Sequence, residues 1–252
     1  MRRWGEARYP ELEGLAGRRT AALLPLGAVE AHGPHLPLAT DVVIAEAMAR
    51  EGARRLALAG VESWILPSLA YAPAPFADGF AGTLSIAPAT LAALLEDIAA
   101  AAAERGVGAL ALINVHFDPS QVTTVREAAA RIAERGRPRI VFPDLTRRGL
   151  AARLTDEFRR GACHAGRFES SILLAERPEL VDEAARRALP PREVSLSEAI
   201  RGGRTSFEEA GLPAAYCGDP ASATAEEGRE IVALLGEILA EAVLAAFAAG
   251  VE

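Results

Sequence analysis

A three-layer α/β/α sandwich around a mostly parallel central sheet is the fold that the 252-residue sequence predicts, and three observations carry the reading. Short apolar runs alternate with longer helical patterns, the short runs are apolar at nearly every position, and capping or turn residues separate the segments. Strand–helix alternation marks βαβ units, and a strand that is apolar on both faces belongs in a sheet covered on both faces. Half of the residues are hydrophobic, enough for one sizeable core, so residues 1–252 are read as a single domain.

Taken in order, strands are expected at residues 21–26, 64–69, 109–115 and 140–142, with helices at 42–56, 90–103 and 122–132 between them. Ser120 is placed to cap a helix starting at Gln121, Gly136 and Pro138 to end it, and the TAEE of residues 224–227 has capping-box spacing. Between residues 190 and 218 the periodicity dissolves, which predicts a long surface excursion that covers a site or forms a subunit contact. The apolar run 238–251 is broken by Glu241. It falls short of the roughly 20 apolar residues that cross a bilayer, and reads as a core-facing terminal helix rather than a membrane segment.

Composition removes several functions. A net charge of −7, with arginines scattered among acids, offers no basic track for a phosphate backbone, so nucleic acid is excluded as a partner. The chain contains no lysine, which excludes a Schiff-base lysine and the lysine of a nucleotide-binding P-loop. The N-terminal MRRWGEARYPELEG has no apolar segment behind its basic residues, so no secretory signal and a cytoplasmic location are expected. Cys163 and Cys217 lack CxxC spacing and are not read as a disulfide, nor is Cys163 read as a nucleophile beside His164. Arginine as the only strong base, with a single Asn and a single Gln, points to a GC-rich genome or a warm habitat.

In open α/β sheets, ligands lie beyond the carboxyl ends of the strands. All four histidines fall in such loops or beside an acid. Glu30 and His32 follow the first strand at i, i+2, on one side of an extended chain; His116 and Asp118 repeat the device after LALINV. Asp41 closes the first loop ahead of a helix, and His164 and Glu169 share HAGRFESS. One His-x-Asp is normally a hydrogen-bonded surface pair, so the weight lies on the repetition across three loops. The donor set suits Zn, Mn or Fe, with enough carboxylates for two ions roughly 3.5–4 Å apart that activate water for attack on a carbonyl. His35 orients a ligand or braces its loop, Ser170 and Ser171 lack a GxSxG turn and are read as opening a helix, and Arg167 is either solvated or bound to an anionic substrate group.

LLPLGAVEAHGPHLPLATD, FAGTLSI, NVHFDP, HAGRFESS and GDPASATAEEGR together resemble the signature of the creatininase (creatinine amidohydrolase) family, from about Ala21 onward. The resemblance implies a dinuclear centre in which Glu30 and His116 hold one ion, His32 and Asp118 the other, and Asp41 bridges both. It implies that His164 touches substrate and protonates the leaving nitrogen, and that the protein is a homo-oligomer, in this family often a hexamer. In relatives with glycines after the third motif's histidine, the acid of the HAG motif supplies the missing ligand. Here Asp118 and Glu169 are both present, so either can be the fifth ligand, with Glu169 otherwise catalytic. Ala31, Ala74 and Ala77 stand where relatives carry Gln, Ser and often His, Phe117 replaces a pocket tyrosine, and Trp4 and Trp64 lie outside the motifs. Phe117, Ala74 and Arg167 are therefore expected to line a pocket for a small molecule other than creatinine. The expected activity is metal-dependent hydrolysis of a non-peptide C–N bond, foremost in a cyclic amide. A formamide, a short peptide or a cyclitol ring on the same centre, or a metal-binding homologue without turnover, are the alternatives.

Overall fold

The computed structural model describes residues 1–162 and 164–249, so the reading of Cys163 lies outside the described residues. Strands β1 (Arg2–Arg3) and β2 (Thr20–Leu26) precede helix α1 (Thr40–Leu58), followed by β3 (Glu62–Ile65), α2 (Pro88–Glu104), β4 (Ala109–Asn114), α3 (Pro119–Glu134) and β5 (Arg139–Val141). The second half is helical: α4 (Arg148–Ala151), α5 (Asp156–Arg159), α6 (Arg167–Glu176), α7 (Glu183–Ala188), α8 (Leu196–Arg201) and α9 (Ala225–Ala248). The five strands pair in parallel in the order β1-β3-β2-β4-β5.

Strands β2 and β4 are buried at every residue, and their alternation divides the core. Ala21, Leu23, Ala109, Ala111 and Ile113 pack with α1, α6 and α9, whereas Ala22, Leu24, Leu26, Leu110 and Leu112 pack with α2 and α3. That is the three-layer sandwich the continuous apolar runs require. The same division places the site. The chain leaves β2 towards α1 on one face and leaves β4 towards α3 on the other, so the carboxyl ends of these neighbouring strands diverge over a crevice.

Several local expectations change. Asp118, not Ser120, caps α3: its Oδ1 accepts from the Ser120 N–H at 2.7 Å, with Pro119 in the first helical turn, where a missing N–H costs nothing. Helix α6 begins at Arg167, ahead of the two serines. Thr224 caps α9 through the Glu227 N–H at 3.1 Å, but the Glu227 carboxylate turns to Ser171 and Arg167, so only half of the capping box forms. Residues 190–218 fold back over the crevice. The Phe207 N–H donates to the Phe76 carbonyl and that of Leu196 to Gly161, with Leu196, Phe207 and Leu212 buried beside Phe76 and Ala77. The edge strand β1 is two residues long, too short to have a period.

Helix α9 is longer than the apolar run suggests, and by length and composition alone it could cross a membrane. In this fold Ile231, Leu235, Leu239 and Val243 are buried in the core formed with α1 and α6. The helices approach closely at glycines: a Cβ on Gly52 would meet Leu239, one on Gly236 would meet Glu51, and one on Gly228 would overlap the Ser171 carbonyl. Backbone cannot yield as a side-chain tip does, so Gly228→Ala should destabilise the fold by about 3 kcal/mol, read as a lowered urea midpoint with unchanged slope. A midpoint equal to that of the wild type would mean that α6 and α9 are not in this contact.

Candidate metal centre

The loop after β2 brings the first ligand atoms to the crevice. Gly27 is required there because a Cβ would lie 2.5 Å from the Val42 nitrogen; its absence lets the start of α1, with Asp41, close against the end of β2. The loop is closed by the Glu30 N–H donating to the Leu38 carbonyl at 3.0 Å. His35 braces it: Nε2 lies 2.9 Å from Ser170 Oγ and its carbonyl accepts from the Asp182 N–H. Burial first, then His32 and Arg186, lower the His35 pKa to about 4, so the ring is neutral.

Three imidazoles share one arrangement. His32 Nδ1 donates to the Glu30 carbonyl at 3.2 Å, His116 Nε2 to the Pro73 carbonyl at 3.0 Å, and His164 Nε2 to the Ala31 carbonyl at 2.9 Å. A carbonyl only accepts, so each outer nitrogen carries hydrogen and each inner nitrogen faces the acids. His116 Nδ1 lies 3.0 Å from both Glu30 Oε1 and Asp41 Oδ2. His32 Nε2 lies 3.3 Å from Asp41 Oδ1 and 3.7 Å from Glu169 Oε2, and His164 Nδ1 is 3.8 Å from Glu30 Oε1. Asp41 thus turns one oxygen towards each of two histidines. Among the described residues, the three-residue groups able to hold an ion are Glu30–Asp41–His116, His32–Asp41–Glu169 and Glu30–His32–His164.

These side chains fit divalent cations on grounds independent of any resemblance. Glu30, Asp41 and Glu169 are buried, and among the described residues no guanidinium pairs with them. His32 Nε2 and Asp41 Oδ2 are buried without a hydrogen bond. A neutral imidazole lone pair facing a carboxylate is repulsive unless a proton or a cation lies between. In the metal-free protein protons take that place. Burial opposes charge on His32, but Asp41, Glu169 and Glu30 outweigh it and raise its pKa to about 10. His116 is raised against burial by Glu30 and Asp41, and Asp41 is held low against burial by His32 and His116. Burial pushes Glu169 up to about 8 and raises Glu30, whereas burial and then His32 push His164 well below the usual imidazole range.

The structure corrects three expectations. Asp118 stands outside the three groups: Oδ2 accepts from the Phe76 N–H at 3.0 Å and Oδ1 from Ser120, so both oxygens serve the backbone, and Glu169 stands beside His32 instead. Ala74 is fully buried and does not line the cavity; its N–H donates to Ser85 Oγ at 2.9 Å. Arg167 is also absent from the lining, with Nε 3.1 Å from Glu227 Oε1. Phe117 does line the cavity and packs edge-on against Phe158.

Other residues escaped the sequence reading. Phe76, Phe158, Phe207 and Leu196 wall a cavity of about 820 Å³ that opens from the acids to the surface. The His164 ring lies between His32 and Phe207, with ring centroids 4.4 and 4.3 Å away. Phe207 had one signal, an isolated aromatic in the polar stretch GGRTSFEEAG. Gln121 Nε2 donates to Asn114 Oδ1 at 3.0 Å, and Asn114 Nδ2 donates to the His116 carbonyl at 2.7 Å. The only two carboxamides in the sequence therefore fix the backbone of a histidine in the centre.

Fold and centre together define a metal-dependent hydrolase of the α/β class. Residues 5–243 match the family model described as Creatininase: Creatinine amidohydrolase, and the chain belongs to the creatininase family of metal-dependent amidohydrolases. It is 35% identical over 220 residues to a mycofactocin precursor peptide peptidase of Mycobacterium tuberculosis, covering 84% of this chain and 80% of that protein. A creatinine amidohydrolase of Pseudomonas putida is 29% identical over 194 residues, covering 71% of this chain and 73% of that one. A crystal structure of a creatinine amidohydrolase superposes with a TM-score of 0.71 at 25% identity, covering 95% of both chains.

Two outcomes follow from the geometry. Glu169→Gln should lower metal content, measured by elemental analysis after dialysis, whereas Asp118→Asn should retain it; the reverse order would return Asp118 to the centre. Near neutral pH the metal-free protein holds protons on His32, with a pKa of about 10, and on Glu169, with a pKa of about 8. Ligation must expel them, so affinity for Mn²⁺ or Zn²⁺ should rise as pH increases through that range. Calorimetry in buffers of different ionisation enthalpy should register proton release; an uptake that does not depend on the buffer would contradict this protonation scheme.

Proposed function

We propose that the protein is a metal-dependent hydrolase of an amide bond in a short peptide, in which Glu30, Asp41 and His116 would hold one divalent cation and His32, Asp41 and Glu169 a second. The observation that carries the substrate reading is the cavity. Its volume of about 820 Å³ and its aromatic walls exceed what a single small ring fills, and no tryptophan lines it. The relatives named as peptide peptidases support the same choice over the cyclic amide.

When bound, the cations supply Lewis acidity to the scissile carbonyl and lower the pKa of water; the donor set suits Zn, Mn or Fe. The chain's own residues do the rest. The apolar walls hold an apolar part of the substrate beside the centre and lower the local dielectric, which strengthens the charge interactions there. His164 is neutral, with Nε2–H committed to Ala31 and the Nδ1 lone pair turned inward. It accepts the proton released by the attacking water and returns it to the departing nitrogen at Nδ1.

A panel of short peptides, cyclic ureides, lactams and formamides, incubated with Mn²⁺- or Zn²⁺-loaded protein, tests the reading. Peptides should be cleaved in preference, and His164→Ala should lower kcat by about 100-fold or more while metal content stays as in the wild type. Turnover of a lactam or ureide with every peptide untouched would overturn it, as would metal-loaded protein inert to the whole panel.

A further inference from the structure

The cavity changes character between floor and mouth. Every acid that lines it, namely Glu30, Asp41, Asp118 and Glu169, lies deep, among the histidines or at the start of α3. Its rim carries arginines from four helices: Arg126 of α3, Arg148 of α4, Arg159 of α5 and Arg201 of α8. Two are neutralised locally, Arg126 by Asp144 and Arg159 by Asp156. The other two are not. Arg148 and Arg201 are exposed, and among the described residues no carboxylate lies within ion-pair distance of either; Arg201 Nε donates only to the Ser197 carbonyl at 3.1 Å. They do not balance the floor, since no arginine contacts its acids.

Arginine presents five donors in a planar fork that matches a carboxylate in a bidentate way. Two unneutralised guanidiniums at the open end of a site that cleaves amides select a ligand with negative charge away from the bond being broken. From this placement we infer that the substrate carries a carboxylate that docks on Arg148 and Arg201 while the scissile amide reaches the centre. The inference rests on the peptide reading above and adds the end of the peptide that is recognised. A C-terminal α-carboxylate and an Asp or Glu side chain offer the same chemistry, and the experiment separates them.

Mn²⁺-loaded protein is given one apolar N-acetylated tetrapeptide as free acid, as C-terminal amide, and as amide with Glu at the last position. Amidation should raise KM about tenfold with kcat unchanged, the worth of one charged hydrogen-bonded contact. Recovery with Glu would show that a side-chain carboxylate serves as well. Arg148→Gln with Arg201→Gln, both exposed and outside the metal centre, should erase the difference and its salt dependence. Equal KM for acid and amide, or a preference for the acid that survives the double variant, overturns the inference. If no peptide is cleaved, the peptidase reading fails by itself, and the same acid and amide are titrated calorimetrically into loaded wild-type protein and the double variant. Tighter binding of the acid that is lost in the variant supports the rim; equal binding, or a preference retained in the variant, rejects it.

Discussion

The structure depends on the way three imidazoles are tied to the backbone. His32, His116 and His164 each donate their outer N–H to a carbonyl, and the carbonyls belong to Glu30, Ala31 and Pro73, all in loops beyond the carboxyl ends of β2 and β3. That bond fixes the tautomer and leaves an inner nitrogen aimed at carboxylates 3.0–3.8 Å away. The arrangement costs free energy unless positive charge enters it, since among the described residues no guanidinium pairs with the three buried acids. A cation bound there in place of the protons would also hold the loops together, so metal binding and the order of the crevice would be linked.

Around these ligands the fold supplies bracing that carries no chemistry. Gln121 and Asn114 hold the His116 backbone, and Asp118 ties the start of α3 to the Phe76 segment. Glu157 does the same for the opposite wall, its buried carboxylate accepting from the N–H groups of Phe168 at 3.0 Å and Asp219 at 2.7 Å. It thereby locks the first turn of α6, which carries Glu169, to the turn ahead of α9. Ala165, between His164 and that turn, sits at φ +49°, a region alanine rarely enters, and directs its N–H to Glu169 Oε2 at 2.6 Å. Such local strain persists only where the surroundings over-determine it, as they do here.

Much of this was legible in the sequence, for a physical reason. A strand covered on both faces must be apolar throughout, so β2 and β4 announce themselves, and the loop acids follow from where α/β sheets place ligands. The role of Asp118 was not legible, because an acid two residues after a histidine suits a metal ligand and a helix cap equally well. The hydrogen bonds its two oxygens accept from Ser120 and Phe76 decide it. Glu169, on another element and 3.7 Å from His32, was reached only as one of two alternatives implied by the family resemblance. Phe207 was hidden by the loss of periodicity in residues 190–218, where burial comes from long-range contact with Phe76 and not from a repeating pattern. The isolated Asn and Gln were read as composition, although two scarce carboxamides seven residues apart at a strand end and the next helix fit a hydrogen-bonded pair.

Candidate ligands and cavity walls come from different parts of the chain, and the sequence marks them differently: acids and histidines after strands stand out, isolated aromatics do not. Glu30, Asp41, His116 and Glu169 are constrained by the geometry of ion binding, whereas Phe76, Phe158 and Phe207 need only fill space, so many side chains would serve in their place. Yet the two are joined at one contact. Phe207 stacks on His164 at 4.3 Å, and burial is the first cause that holds the His164 pKa well below the usual imidazole range. The segment that covers the cavity therefore also touches the ring to which the proposed proton transfer is assigned. On the proposed mechanism, a change in the cover would alter specificity and chemistry together, because both would involve the same aromatic face.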